Sequence, residues 1–472
     1  MIYVITVSIV IVILCGVSIG KIRSVKSKAD FLVAGRTLAW PVLVFTLLSS
    51  WIGAGSLLAG AENAYRNGFA ALWQPAGGWL GLIVIALIAG RARRFAQFTV
   101  PDLLEARYNR SSRILGTIAI VISCTVITSY QLIGGGDILH LIFPEISSIT
   151  GRYVIAGFVI LFTAAAGMAS IAYLDLFIGS LVTLTVVVAV PVLLSRAGGW
   201  QHVRAALPAS HFKPLGNLSF LQGLQLLLPT MLLLIGNQGM YQKFFSAKSE
   251  KDARMAVYGW IFGTVLLETL LVTLAVIASA TLRTDKPREI IPLAARVGLP
   301  SILGSILLGG VFAKVISTAN NYLFSPATNL IHDVYERFIH PEASQREILT
   351  VSRIVVIILG LCALLQATQF ESVLEASLYA YTIYGAAVTP AILAVFFWKR
   401  TTANAAVASI LLGTVITVVW KQLQHHAPQL LPFGADLDAI YPALFCSVAS
   451  LIVVSLWTAA PQPEELSFVE PQ

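Results

Sequence analysis

Residues 49–68 read SSWIGAGSLLAGAENAYRNG, and residues 227–243 read LLPTMLLLIGNQGMYQK. Each begins inside an apolar run and then loses the regularity of a helix. The first carries Gly53, Gly55 and Gly60 beside Ser49, Ser50 and Ser56; the second carries Pro229, Gly236 and Gly239 around the amides Asn237 and Gln238. A helix in hydrocarbon must satisfy its own backbone, so a broken one is tolerated only where it lines a cavity or is buried in protein. Glycine also has a plainer use, which is to let two helices pack closely. The pairing decides between these uses. The second break opens five apolar runs after the first, and matched interruptions in two halves of a chain point to the binding site of a secondary transporter.

The rest of the composition fits a membrane. Of the 472 residues 57% are hydrophobic and only 11% are charged, against about 25% charged in soluble domains. Thirteen apolar runs, from 2–20 to 439–458, approach the length of about 20 residues that crosses a bilayer. They consume nearly the whole chain, so a single transporter domain over 1–472 is expected. It divides into an extra N-terminal helix (1–20), repeats at 39–195 and 219–420, a last helix at 439–458 and a short tail at 459–472.

Basic residues orient it. With the N-terminus outside, the loops after alternate runs hold 20 of the 31 lysines and arginines, Lys21, Arg23, Lys26, Lys28, Arg91, Arg94, Arg107, Arg113, Lys243 and Lys248 among them. The positive-inside rule then places these loops and the C-terminal tail in the cytoplasm of a plasma (inner) membrane protein. The net charge of +8 follows from topology and gives no reason to expect nucleic acid. The partners expected are a small organic solute and membrane lipid, with no obligate protein partner. The first run has its charges after it, the reverse of a secretory signal, and is read as a retained helix. Cys15, Cys124, Cys362 and Cys446 lie far apart in apolar runs without metal-ligand spacing.

Lys314 sits where a lysine is costly, in SILLGGVFAKVISTANNYLFSPATNL (305–330). A charge at a helix centre costs roughly 2.5–3.5 kcal/mol on translocon scales, so such residues face a bundle interior or a water-filled path. Ser317, Thr318 and Asn321 follow at helical spacing and share its face. That stripe reads as part of an ion or proton site; the alternative is a structural salt bridge locking two helices. Asp175 is the first candidate counter-ion and Glu268 the competing one, since an unpaired buried charge is intolerable.

At these residues the chain resembles the sodium/solute symporter family, which includes bacterial proline, galactose and sialic acid symporters. FLVAGRTLAW (31–40), FTVPDLLEARYNRSSR (98–113), MYQKFFSAKSEKDARMA (240–256), ISTANNYLFSPATNLIHDVYERFI (316–339) and YGAAVTPAILAVFFWKRTTANAAVASILLG (384–413) carry the likeness in order. The resemblance implies an all-α integral membrane protein with a LeuT-like core of five-plus-five inverted helices, one extra N-terminal helix and two extra C-terminal helices. It implies a sodium site of carbonyl and hydroxyl oxygens, which suit a hard cation. Those oxygens fall on Ser49, Ile52, Lys314, Ser317 and Thr318. Lys314 replaces a small residue there, and its ammonium would reach toward the pocket. Asp175, in AYLDLFIGS, matches an acidic position that helps bind a second sodium in some members, but Asn320 and Asn321 stand where hydroxyls are expected.

The solute is expected near Trp51, Gly53, Gly55, Ser56, Trp73, Asn237, Gln238 and Tyr381. Trp51, Gly53 and Gly55 replace polar groups of the sugar symporters, and the first break is closer in style to the choline branch. Tyr379 and Tyr384 would extend an aromatic face. The function implied is symport of a small organic solute into the cell, with sodium as the coupling ion and no other cofactor. The alternative is sodium-independent or proton-coupled transport with Lys314 in place of sodium. A sensor is disfavoured because about a dozen residues follow the last run. An enzyme is disfavoured because the seven histidines, including the pair His425–His426, form no metal-binding helix motif.

Overall fold

A computed structural model describes residues 2–22, 33–94, 99–165, 168–370, 372–431, 434 and 437–462. Arg23, Lys26, Lys28, Phe31, Leu32, Phe98 and the tail from 463 onward lie outside them, as do the side chains of Cys15, Lys21 and Arg94. The described chain is α-helical, with one isolated bridge between Leu38 and Ala247. Its helices are α1 (Ile2–Ile22), α2 (Trp40–Trp51), α3 (Gly60–Asn67), α4 (Trp73–Arg94), α5 (Val100–Arg107), α6 (Arg110–Ile142), α7 (Ser148–Ala165), α8 (Met168–Arg196) and α9 (Gly199–Ala206). The second half continues with α10 (Phe220–Gly236), α11 (Gln238–Ser246), α12 (Glu250–Thr281), α13 (Ser301–Asn329), α14 (Gln345–Gln366), α15 (Val373–Ala387), α16 (Thr389–Phe397), α17 (Ala403–His426) and α18 (Ile440–Trp457).

Eleven helical pieces are long and apolar enough to cross a membrane, and Ile2–Ile13 and Trp40–Trp51 are shorter apolar helices. Many of the starts are written in the sequence. Thr99 with Asp102 and Ser219 with Gln222 form capping boxes, and Asn109, Ser249 and Ser344 each accept a backbone N–H of the first turn. Such caps satisfy donors that a helix cannot pair internally.

Burial sorts the helices into an interior and a shell. The apolar stretches of α6 and α13 are 83% buried and that of α15–α16 is 89% buried, whereas α18 is 28% buried. Leu161, Leu184 and Phe262 point outward, as expected of an apolar face in lipid. The interior contacts are close. An ideal Cβ on Gly77 of α4 would lie 2.1 Å from the Leu227 carbonyl oxygen of α10, and one on Gly81 would lie 2.8 Å from that of Met231. Small residues one turn apart thus let two backbones touch.

Three basic residues depart from the loop assignment. Lys243 lies in α11, and Lys243, Arg107 and Arg113 are buried. The apolar run around residue 227 was expected to end just before Lys243, but the helix resumes after its break and carries the lysine into the core.

Because the neighbour of Gly77 is backbone and cannot rotate away, Gly77→Leu is expected to cost at least the ~1–3 kcal/mol typical of overpacking. The check is the melting temperature and monodispersity of purified protein, with Gly157→Leu, which has nothing within 4 Å, as the neutral control.

Candidate functional site

The first break follows Trp51. Ile52 leaves the helical region (φ −81°, ψ 96°), and a wide turn over Gly55–Ala59 leads into α3. Two consequences follow from unwinding the chain here. The freed N–H of Ala54 donates to Gln131 Oε1 of α6 at 2.8 Å. The freed carbonyls turn to α13, where Thr318 Oγ lies 3.0 Å from Ser49 O and 3.4 Å from Ile52 O. Thr318 Oγ is also 2.9 Å from Lys314 O. Three carbonyls and one hydroxyl therefore converge in a buried spot, an oxygen set that suits a hard cation such as sodium.

Lys314 is fully buried, and its Nζ donates to Ser49 Oγ at 2.8 Å. It forms no ion pair within 4 Å with Asp175 or Glu268. Asp175 sits beside the cluster, accepting from Thr46 Oγ at 2.7 Å, from Asn321 Nδ2 at 3.2 Å and from Ser317 Oγ in a short hydrogen bond. Of the two expected hydroxyls, Thr318 therefore faces the carbonyls and Ser317 faces Asp175. Asn320 is turned away toward Thr163.

Lys243 was missed as a site residue. Its Nζ donates to Asn321 Oδ1 at 3.0 Å and to Gly239 O at 3.3 Å. Asn321 thus bridges a buried lysine on one side and Asp175 on the other. The available signal was the period: Gly239 and Lys243 are one helical turn apart.

At the second break Asn237 caps α11 by accepting the Gly239 N–H at 2.9 Å, and its amide donates to Tyr322 Oη at 3.0 Å. The Gln238 N–H donates to Tyr384 Oη at 2.7 Å, and Gln238 Oε1 accepts from the Val100 N–H at 2.5 Å. The Gln238 side chain is thus spent on the start of α5. A third interruption, at Val388 between α15 and α16, precedes Pro390.

A small cavity lies beside the first break, lined by Trp51, Gly55, Ser56, Thr230, Glu268 and Tyr381 among others. The Trp51 and Tyr381 rings stack with centroids 6.4 Å apart. Glu268 Oε1 accepts from Trp51 Nε1 at 2.9 Å and Ser56 Oγ at 3.2 Å, and Oε2 accepts from Trp79 Nε1 at 2.9 Å. Gly53 faces Thr318 instead, with an ideal Cβ 2.6 Å from its methyl. Trp73 is not in the cavity lining; it packs on Phe220 and donates to Pro214 O.

A charged knot closes one end of the bundle. Arg113 pairs with Asp102, Glu105 and Asp333, and His332 contacts Asp102 at 3.0 Å and Glu336 at 2.9 Å. Asp137 is 24 residues along α6, about 36 Å at 1.5 Å per residue, and pairs with Arg288 at 2.7 Å. Removing the cation from a buried cluster strands its carboxylates, at a cost of about 3–5 kcal/mol. Arg113→Ala should lower the melting temperature far more than Arg337→Ala, whose partner Glu105 is shared with Arg113 and whose side chain is 56% exposed; thermal denaturation of the two variants tests this.

Known proteins share both sequence and shape with this chain. The model of the sodium:solute symporter family matches residues 31–413. The sodium/proline symporter of Salmonella typhimurium is 27% identical over 467 residues, covering 93% of this chain and 90% of that protein. The osmoregulated proline transporter OpuE of Bacillus subtilis is 24% identical over 456 residues, covering 92% and 90%. A solved sodium-coupled sialic acid symporter superposes with a TM-score of 0.82 at 15% identity, over 98% of this chain and 99% of its own. MhsT in complex with L-phenylalanine gives a TM-score of 0.59 at 12% identity, over 89% and 98%. These structural neighbours share the LeuT-like fold, which is therefore the fold here. With a family match spanning most of its length, the chain belongs to the sodium:solute symporter family, whose members are membrane transporters and not enzymes.

Proposed function

We propose that the protein carries a small organic solute into the cell together with sodium, by alternating access about the two helix breaks. The observation that carries this reading is the convergence of Ser49 O, Ile52 O and Lys314 O on Thr318 Oγ. Sodium would occupy that set, with Ser317 turning from Asp175 to complete it. The solute would lie in the adjoining cavity against Trp51, Gly55, Ser56 and Tyr381. Asn237 holds the second break. The printed names of the relatives, proline transporters, support a small organic solute.

The eleven long pieces and the two shorter apolar helices together support thirteen segments in one domain. In this reading the five-plus-five inverted repeats lie within residues 39–195 and 219–420, with α1 before them and α17 and α18 as the two extra C-terminal helices. The chain sits in the plasma (inner) membrane with its N-terminus outside and its C-terminus in the cytoplasm. Engineered cysteines should then label from outside at His425–His426 and from inside at 248–254; labelling of both from one side overturns the orientation.

A second reading is favoured by one contact, Lys314 Nζ to the hydroxyl of Ser49, the residue whose carbonyl belongs to the oxygen set. There the ammonium replaces sodium, and transport is sodium-independent or driven by protons. Uptake into proteoliposomes separates the two. Sodium coupling predicts accumulation under a sodium gradient at fixed pH, with Thr318→Ala weakening the apparent sodium affinity at least tenfold. Lysine substitution predicts sodium-independent uptake in the wild type that becomes sodium-dependent in Lys314→Ala.

A further inference from the structure

Among the described residues Glu268 is the only ionisable carboxyl lining the cavity, and no lysine, arginine or histidine lines it. Its side chain rises from the middle of α12 and is 4% exposed. Every donor it has is neutral: the indoles of Trp51 and Trp79 and the hydroxyl of Ser56. Among the described residues no basic group lies within ion-pair distance of it. A carboxylate has about four acceptor sites, and three are filled, two on Oε1 and one on Oε2. One remains on Oε2. A buried carboxyl must either hold a proton or meet a compensating charge, and among the described residues no basic side chain lies close enough to supply one.

The rest of the cavity is suited to supply a place for that charge. Trp51 and Tyr381, whose rings stack on one another, both line it, and an aromatic face attracts a cation by about 0.5–2 kcal/mol. Leu271 and Val272 give a hydrocarbon wall. Among the described lining residues a solute carboxylate would find no basic side chain. The three donors also fix the carboxyl from three directions, namely α2, the unwound turn and α4, so it is held in place before any ligand arrives. Held this way, it resembles a receptor more than a packing residue, which would have been better served by leucine.

Resting on the transporter reading above, we propose that Glu268 is the receptor for a protonated amine, and that the solute is a small organic amine with at least one N–H on its charged nitrogen. The N–H donates to the free site on Oε2 while the carbon skeleton lies against Trp51 and Tyr381. This separates the solute from quaternary ammonium ions, which have no N–H to give, and from acids.

The test is ligand-induced thermal stabilisation of the full chain in detergent, where mass action raises stability only for ligands that bind the folded state. The probes are matched sets: pyrrolidine, cyclopentylamine and phenethylamine; the uncharged cyclopentanol and 2-phenylethanol; the zwitterions proline and phenylalanine; and dimethylpyrrolidinium. At least one protonated amine should bind at least tenfold more tightly than its uncharged, zwitterionic and quaternary counterparts. Glu268→Gln should abolish that preference, and Glu268→Asp should weaken binding but keep the preference for amine over alcohol. Equal binding of amines and alcohols, stabilisation by the zwitterions instead, or an unchanged preference in Glu268→Gln overturns the proposal. So does failure of every amine to bind. If Glu268→Gln does not fold, the Asp variant carries the test, and loss of its preference for amines counts against the proposal. Binding in detergent needs no gradient. Amine binding without gradient-driven uptake would therefore overturn the transport reading and leave this assignment standing, and uptake of a non-amine would do the reverse.

Discussion

Everything at the centre of this molecule follows from one constraint: backbone groups released in a membrane interior must find partners at once. Unwinding after Trp51 frees the Ala54 N–H and the carbonyls of Ser49 and Ile52. Gln131 takes the first, and the single hydroxyl of Thr318 lies within reach of the other two. Unwinding at Asn237 frees the N–H of Gln238, which Tyr384 takes. Each partner comes from a different helix, α6, α13 or α15, and these are the most enclosed helices of the bundle. The breaks therefore determine which helices must be central.

The second constraint is charge. Two buried lysines, Lys314 and Lys243, flank a single buried aspartate, with Asn321 touching both Asp175 and Lys243. Two unit charges about 4 Å apart interact by about 4 kcal/mol at an effective dielectric of 20, which exceeds two powers of ten in affinity. A sodium ion entering beside the Lys314 ammonium meets that repulsion unless Asp175 and the carbonyls offset it. Asp175 lies within hydrogen-bond reach of Ser317, so the same carboxylate that would offset sodium also holds one of its candidate ligands. In the sodium-coupled reading proposed above, coupling would accordingly be a competition for Asp175.

The sequence was most legible where a rule of periodicity or capping applied. The apolar runs, the paired breaks and the Lys314–Ser317–Thr318–Asn321 face all rest on spacing: the helices are interrupted at Ile52 and Asn237, and the four residues of the face lie within α13. The roles of Gly53 and Trp73 were less legible, because a glycine has no side chain to reveal its facing and an indole reaches far from its own backbone. Lys243 was misplaced because a hydropathy window ends where polar residues begin, whereas a broken helix continues past them. Glu268 stood out as a buried charge, but its partners were not deducible: Trp51, Ser56 and Trp79 are about 190–220 residues away in the chain. Spacing along a helix is local information; a contact between helices is not.

The break itself shows how the two halves of the site are joined. An ideal Cβ on Gly53 would strike Thr318, in the oxygen cluster, at 2.6 Å, and one on Gly55 would lie 2.5 Å from Tyr381 Oη, in the cavity. Alternate residues of one short unwound stretch thus touch the two compartments with no slack on either side. Trp51 strengthens the link, since its indole holds Glu268 while the carbonyl of the next residue faces Thr318. A displacement that relaxes the oxygen cluster must therefore shift the Trp51 ring over the cavity, and one that reshapes the cavity must disturb Ile52 O. A side chain at Gly53 would press on the Cβ, methyl and hydroxyl of Thr318, whereas one at Gly55 would press on the far end of Tyr381, so the first position is the tighter of the two.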